Sequence, residues 1–180
     1  MRRRYPKRNE LFYYELQVAG GVPLFTGRWY LDKMSNALKW SCERRGLRIF
    51  EYVILPDRLL LIANAQWGSL PDIIQTFCHF TSKAVVQKLR EGRRDLHWSW
   101  IIPVLDEANG SSGGDLSIWQ MELPSRPLIS QEQVDEEALR LKEAPVRAGI
   151  VRKAEHYLHS SACPVNPLEG WQVAVTDRGI

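Results

Sequence analysis

His156 and His159 stand one helical turn apart, a spacing at which two imidazoles can share a metal ion, but no third ligand accompanies them. His79 and His97 are isolated and read as packed or solvated side chains. Cys42, Cys78 and Cys163 lie far apart with no CxxC pair, which fits a reduced, cytoplasmic protein better than a disulfide scaffold or a zinc site. Glycine-rich phosphate loops of the P-loop type and HExxH are missing. The hairpin-like stretch EYVILPDRLLLIAN, residues 51–64, is poorer still in chemistry. Its second half begins Leu59, Leu60, Leu61, Ile62, with nothing to ligate a metal, carry a proton or attack a phosphate.

Charge is more suggestive than any of these groups. The net charge is only +3, but the basic residues cluster. Arg2, Arg3, Arg4, Lys7 and Arg8 crowd the N-terminus; Arg44, Arg45 and Arg48 form a second group; Lys88, Arg90, Arg93 and Arg94 form a third. Such clusters neutralise phosphates and release counterions, which points towards nucleic acid. The second and third also suit helix C-termini, where cations meet the negative end of the helix dipole. Seven tryptophans could stack on bases or simply fill a core.

The elements that must hold these residues follow from periodicity. The 180 residues suffice for one domain with a real core, and 44% hydrophobic against 25% charged is a globular composition. No apolar run approaches the ~20 residues of a membrane span, and the basic start lacks the apolar segment of a secretory leader. Residues 11–18 read as a strand closed by Gly20 and Gly21. Residues 30–45 read as a helix stopped by Gly46, and residues 47–55 and 59–65 as a hairpin. Ser69 caps a second helix that Gly92 ends. Strand, helix, strand, strand, helix is most of a ferredoxin-like βαββαβ unit, an α+β fold with an antiparallel sheet and helices on one face. The last strand is expected at GWQVAVTD, residues 170–177, a short helix over 96–108 despite Pro103, a flexible loop over 109–117, and a helix over 130–142 opened by a Ser130/Gln133 capping box. Residues 1–95 are thus expected to form the core, with hairpin 47–65 and helix 69–91, and residues 96–180 a helical and extended part of the same domain.

Several strings together resemble one family. YVILPDRLLLIANA, LPDIIQTFCHFTSKAVVQKL, APVRAGIV and EHYLHSSA are similar to segments of the REP-associated tyrosine transposases, within the HUH class that cuts single-stranded DNA with one tyrosine. That family runs Met-Pro-Asn-His-x-His-Leu at the hairpin, F-K-x-Y/F-T-S-K on the next helix, and Y-I-H-x-N-P-V-x-A-G-I-V followed by Y-x-x-S-S-A later. The resemblance covers about the first 165 residues and implies a metal-dependent strand transferase, using Mg or Mn and working as a homodimer on single-stranded or hairpin DNA.

The departures fall on the polar positions. Arg58 stands for the first histidine and Leu60 for the second. Two residues separated by one share a strand face, so the family's imidazoles can reach one cation; arginine has no lone pair to give and leucine no donor atom. Phe80 in HFTSK is the nearest match to the nucleophile's helix, and Lys83 and Ala84 follow it where a ligand would be expected. Lys142-Glu143-Ala144-Pro145 replaces His-x-Asn-Pro. The resemblance therefore implies a transposase fold with no intact catalytic set and no metal site at Arg58 and Leu60. DNA contacts are expected from Arg2, Arg3, Arg4, Lys7, Arg8, Lys83 and Lys88, and from Arg58 if its guanidinium holds a phosphate instead of serving only the turn. Two alternatives stand beside this reading: an active transposase with displaced residues, and a homodimeric interaction module without DNA.

Overall fold

β1 (Leu11–Gln17) alternates strictly, turning Tyr14 and Leu16 to one face and Tyr13 and Glu15 to the other. The computed structural model containing it describes residues 10–91, 99–110 and 116–164. A 3-10 turn at Ala19–Gly21 leads to α1 (Arg28–Arg45). Its buried residues Tyr30, Leu31, Met34, Ser35, Ala37, Leu38 and Ser41 are linked by three- and four-residue steps, as one helix face requires. Gly46 ends α1 with φ +76°, donating its N–H to the Ser41 carbonyl. A Cβ at this glycine would lie 2.7 Å from the Trp67 ring, so both backbone sign and space demand glycine.

β2 (Leu47–Leu55) and β3 (Arg58–Ala65) form the expected hairpin across a tight Pro56-Asp57 turn. The turn is tied down, because the Pro56 and Asp57 carbonyls accept from the N–H groups of Phe25 and Val18. β2 carries a bulge between Ile49 and Glu51. Before it Leu47 and Ile49 enter the larger core; after it Tyr52 and Ile54 do, and the phase of the strand has flipped. α2 (Leu70–Glu91) starts at Ser69, whose hydroxyl accepts from the Asp72 N–H at 3.4 Å.

The sheet order is β2-β3-β1-β4, antiparallel throughout, which is the ferredoxin-like arrangement. The fourth strand corrects one expectation. It is β4 (Ser125–Leu128), paired with β1, whereas residues 170–177 lie outside the described residues. Ser-Arg-Pro-Leu gave no strand signal because an edge strand of four residues, three of them exposed, needs neither alternation nor every N–H. The sheet core thus closes beyond residue 95.

α3 (Ile101–Ala108) tolerates Pro103 in its first turn, where no intrahelical N–H bond is lost. α4 (Gln131–Arg147) runs five residues farther than periodicity suggested. Its N-cap is Ser130, accepting from the Gln133 N–H, while Gln133 reaches back to the Ile129 N–H. Pro145 falls in its last turn, and Gly149 at φ +70° closes it. The Ile150 N–H returns to the Pro145 carbonyl and the Gly149 N–H to that of Val146. This is a Schellman stop, and it accounts for the string PVRAGI in structural terms.

α1 and α2 cover one face of the sheet; α4 covers the other, packing Val134, Ala138, Leu141 and Ala144 against Phe50, Val53, Leu60 and Ile62. Gly46→Ala is expected to destabilise the fold by about 1–3 kcal/mol through left-handed backbone strain alone, and by more if Trp67 cannot move. A lowered urea midpoint at unchanged slope checks it.

Candidate functional site

Arg58 and Leu60 follow one another on the α4 side of β3, beside Tyr13 and Glu15 of β1. They border a cleft of 650 Å³ between the Pro56-Asp57 turn and the C-terminal end of α4, which shares Tyr13, Glu15, Leu60 and Arg147 as lining with a neighbouring part of 420 Å³ running towards Arg126. Arg58 is spent within this cleft. Its Nε and Nη2 donate to the two Asp57 carboxylate oxygens at 3.0 and 2.8 Å, and its Nη1 donates to Glu15 at 2.7 Å. These contacts, the Asp57 hydrogen bonds foremost, raise its pKa further above the ordinary arginine range. A phosphate would have to displace a carboxylate to reach it. Arg58 is thus neither a free clamp nor an ordinary exposed turn residue.

The position does not fit a divalent cation. Arg58 supplies a fixed positive charge between Asp57 and Glu15, and Leu60 is buried against α4 with no donor atom. Among the described residues, no three His, Cys, Asp or Glu side chains converge as metal ligands.

Phe80 is not part of this cleft. It lies half-exposed on α2, across the sheet from Leu60, and its ring stacks on Trp40 of α1. Lys83 and Lys88 are exposed on the same helix. The site expected at Arg58, Leu60 and Phe80 is therefore split between the two sides of the sheet. Counted back from Pro145, the tyrosine that opens the late pattern falls on Arg140, and Arg140 does line the cleft. That count was available from the sequence, but which helix covers Leu60 was not. Arg2, Arg3, Arg4, Lys7 and Arg8 lie outside the described residues, as does His97.

Tyr13 is the tyrosine that sequence reasoning missed. It lines both parts of the cleft, with the Arg126 guanidinium 4.9 Å from its ring centre. Burial, with Glu15 and Glu137 nearby, pushes its phenol up to about 12, so the phenolate is scarce at neutral pH.

Two further ion clusters fasten α4 to the sheet. Buried Glu137 meets Arg126 from β4 and, at 3.6 Å, Arg140. Buried Glu51 receives Lys142 Nζ at 3.0 Å and the Ser161 hydroxyl at 2.7 Å. Lys142, which the resemblance sets against a histidine, here neutralises buried Glu51. Ser161 belongs to YLHSSA, which runs along the free side of β2: the Tyr157 hydroxyl donates to the Ile54 carbonyl, the Ile54 N–H to the His159 carbonyl, and the Ser161 N–H to the Tyr52 carbonyl. His156 is exposed and His159 half-buried in this segment, where Asp32 faces His159.

No family model and no curated protein sequence matches the chain. The structure, however, is similar to that of a REP-associated tyrosine transposase solved with a REP hairpin bound. The TM-score is 0.57 over 98% of this chain and 93% of that one, at 14% identity. A candidate transposase from Deinococcus radiodurans matches with TM-score 0.48 and 12% identity over 79% of this chain and 97% of that one. The transposase resemblance expected from the hairpin and the late strings thus holds at the level of fold.

Two outcomes test the cluster assignments. Lys142→Met should cost about 1–3 kcal/mol by removing a charged donor from buried Glu51, and a Lys142→Met/Glu51→Gln double variant should regain part of it in chemical denaturation. Burial lowers the His159 pKa, so the unfolded chain binds more protons around the ordinary histidine value of about 6.5. Stability should therefore be full above that value and fall as pH drops below it. His159→Gln should flatten this part of the curve in thermal melts between pH 7 and pH 5.

Proposed function

We propose that this chain is a transposase-fold DNA-binding protein that holds single-stranded or hairpin DNA without cutting it. The observation that carries this reading is the filling of the cleft: an arginine already neutralised by Asp57 and Glu15 stands with a buried leucine where the resemblance calls for two metal-ligating histidines. The nearby phenol adds support, since Tyr13 is held near pKa 12 and is poorly suited to attack phosphorus. The solved transposase of like fold was captured on a hairpin, and the basic groups at Arg2, Arg3, Arg4, Lys7, Arg8, Lys83 and Lys88 suit the same class of ligand. A homodimer is part of the proposal by the same resemblance.

The test uses a labelled DNA hairpin with a single-stranded extension, incubated with Mg or Mn. A salt-sensitive mobility shift is expected, with log affinity falling linearly in log salt, and no protein–DNA adduct on a denaturing gel. An adduct that survives denaturation overturns the loss of cleavage, and its disappearance in Tyr13→Phe would assign the nucleophile. An absence of any shift overturns DNA binding.

A further inference from the structure

The outer surface of the α1–α2 layer is chemically unlike the α4 side. α1 carries five Lys and Arg against two carboxylates and α2 three against two, a combined excess of +4. α4 carries three against five, an excess of −2. A polyanion is therefore drawn to the helical layer facing away from the Arg58 cleft.

That layer also exposes aromatic rings where a solvated helix pair would carry polar residues. Trp40 is 48% exposed, Phe80 50% and Trp29 39%. Trp40 and Phe80 lie nearly parallel across the helix seam, 17° apart with ring centres separated by 6.4 Å. Lys33 Nζ sits 4.8 Å from the centre of the Phe80 ring, and Lys88 Nζ 5.8 Å from that of Trp29. On α1 the spacing of Trp29, Lys33 and Trp40 by four and seven residues puts all three on one stripe. Aromatic faces flanked by lysines are what unpaired bases and their phosphates require: rings stack on rings irrespective of sequence, and ammonium groups neutralise the backbone. Duplex DNA, with its bases already stacked on one another, has no use for such rings.

We propose that the α1–α2 seam is a stacking platform for unpaired bases of single-stranded DNA, with Trp40 and Phe80 as its centre, Trp29 at one end, and Lys33 and Lys88 beside the phosphates. The proposal rests on the DNA-binding reading above and adds to it a surface and a preference for unpaired strands. Phe80, on this account, contacts bases.

Tryptophan fluorescence and anisotropy titrations with a fluorescent oligothymidylate of about 12 nucleotides, a length within the range of single-strand sites, test it in the full chain. The wild type is expected to bind the oligothymidylate more tightly than a blunt duplex of equal length. Trp40→Ala and Phe80→Ala should each weaken that binding about tenfold and leave the thermal melt and circular dichroism unchanged. Should either variant unfold, Trp40→Gln and Phe80→Gln replace them, and Lys33→Gln/Lys88→Gln should lower the salt dependence. If the hairpin with its extension still shifts but these variants bind the oligothymidylate as the wild type does, the platform is overturned and the wider DNA reading stands. If no DNA binds, both fall. Should Trp40→Ala turn a dimer into a monomer in sedimentation and leave oligothymidylate affinity unchanged, the seam is a subunit interface and the proposal is overturned.

Discussion

β3 is buried on both faces, and most of the architecture follows from that. Leu59, Leu61 and Ala63 turn one way; Leu60 and Ile62 turn the other. Each aliphatic side chain fully removed from water contributes roughly 1.5–3 kcal/mol, so neither face can be left wet. α1 and α2 cover one side. The other needs α4, although α4 comes more than sixty residues later and carries eight charged side chains. The bulge in β2 serves the same need: Phe50 and Glu51, though adjacent, both turn towards α4, one into its apolar stripe and the other to its lysine.

A charged helix laid on an apolar sheet must settle its charges locally. It does so through Glu51 with Lys142 and Ser161, and Glu137 with Arg126 and Arg140. The hairpin turn contributes Arg58 with Asp57 and Glu15. Buried pairs of this kind rarely add much net stability, but removing one member leaves its partner stranded. The cleft under α4 is thereby close to electrical balance, and among the described helices the net positive charge falls on α1 and α2.

Much of this was readable in the residues. Alternation located β1 and the hairpin, the i, i+3, i+4 pattern located α1 and α2, and Ser130 with Gln133 marked the start of α4. β4 was not readable, because a four-residue edge strand with Pro127 has no periodic signature. The site was harder. Leu60 and Phe80 are close in sequence and suggest one locus, yet β3 presents Leu60 to one side while α2 packs on the other. Only the strand order and the placement of α4 reveal that Tyr13 and Arg140 are the cleft's true neighbours. The late strings that carried the resemblance encode a helix stop and a strand-edge brace, roles that folding alone requires.

The brace along β2 has a wider meaning. Tyr157, His159 and Ser161 occupy carbonyls and N–H groups of a strand that would otherwise end the sheet. A chain cut just before Tyr157 would keep its helices and hairpin but offer a bare, mostly aliphatic border to its neighbours. Such borders are open to strand addition, and the few residues past α4 cover this one at Tyr52 and Ile54.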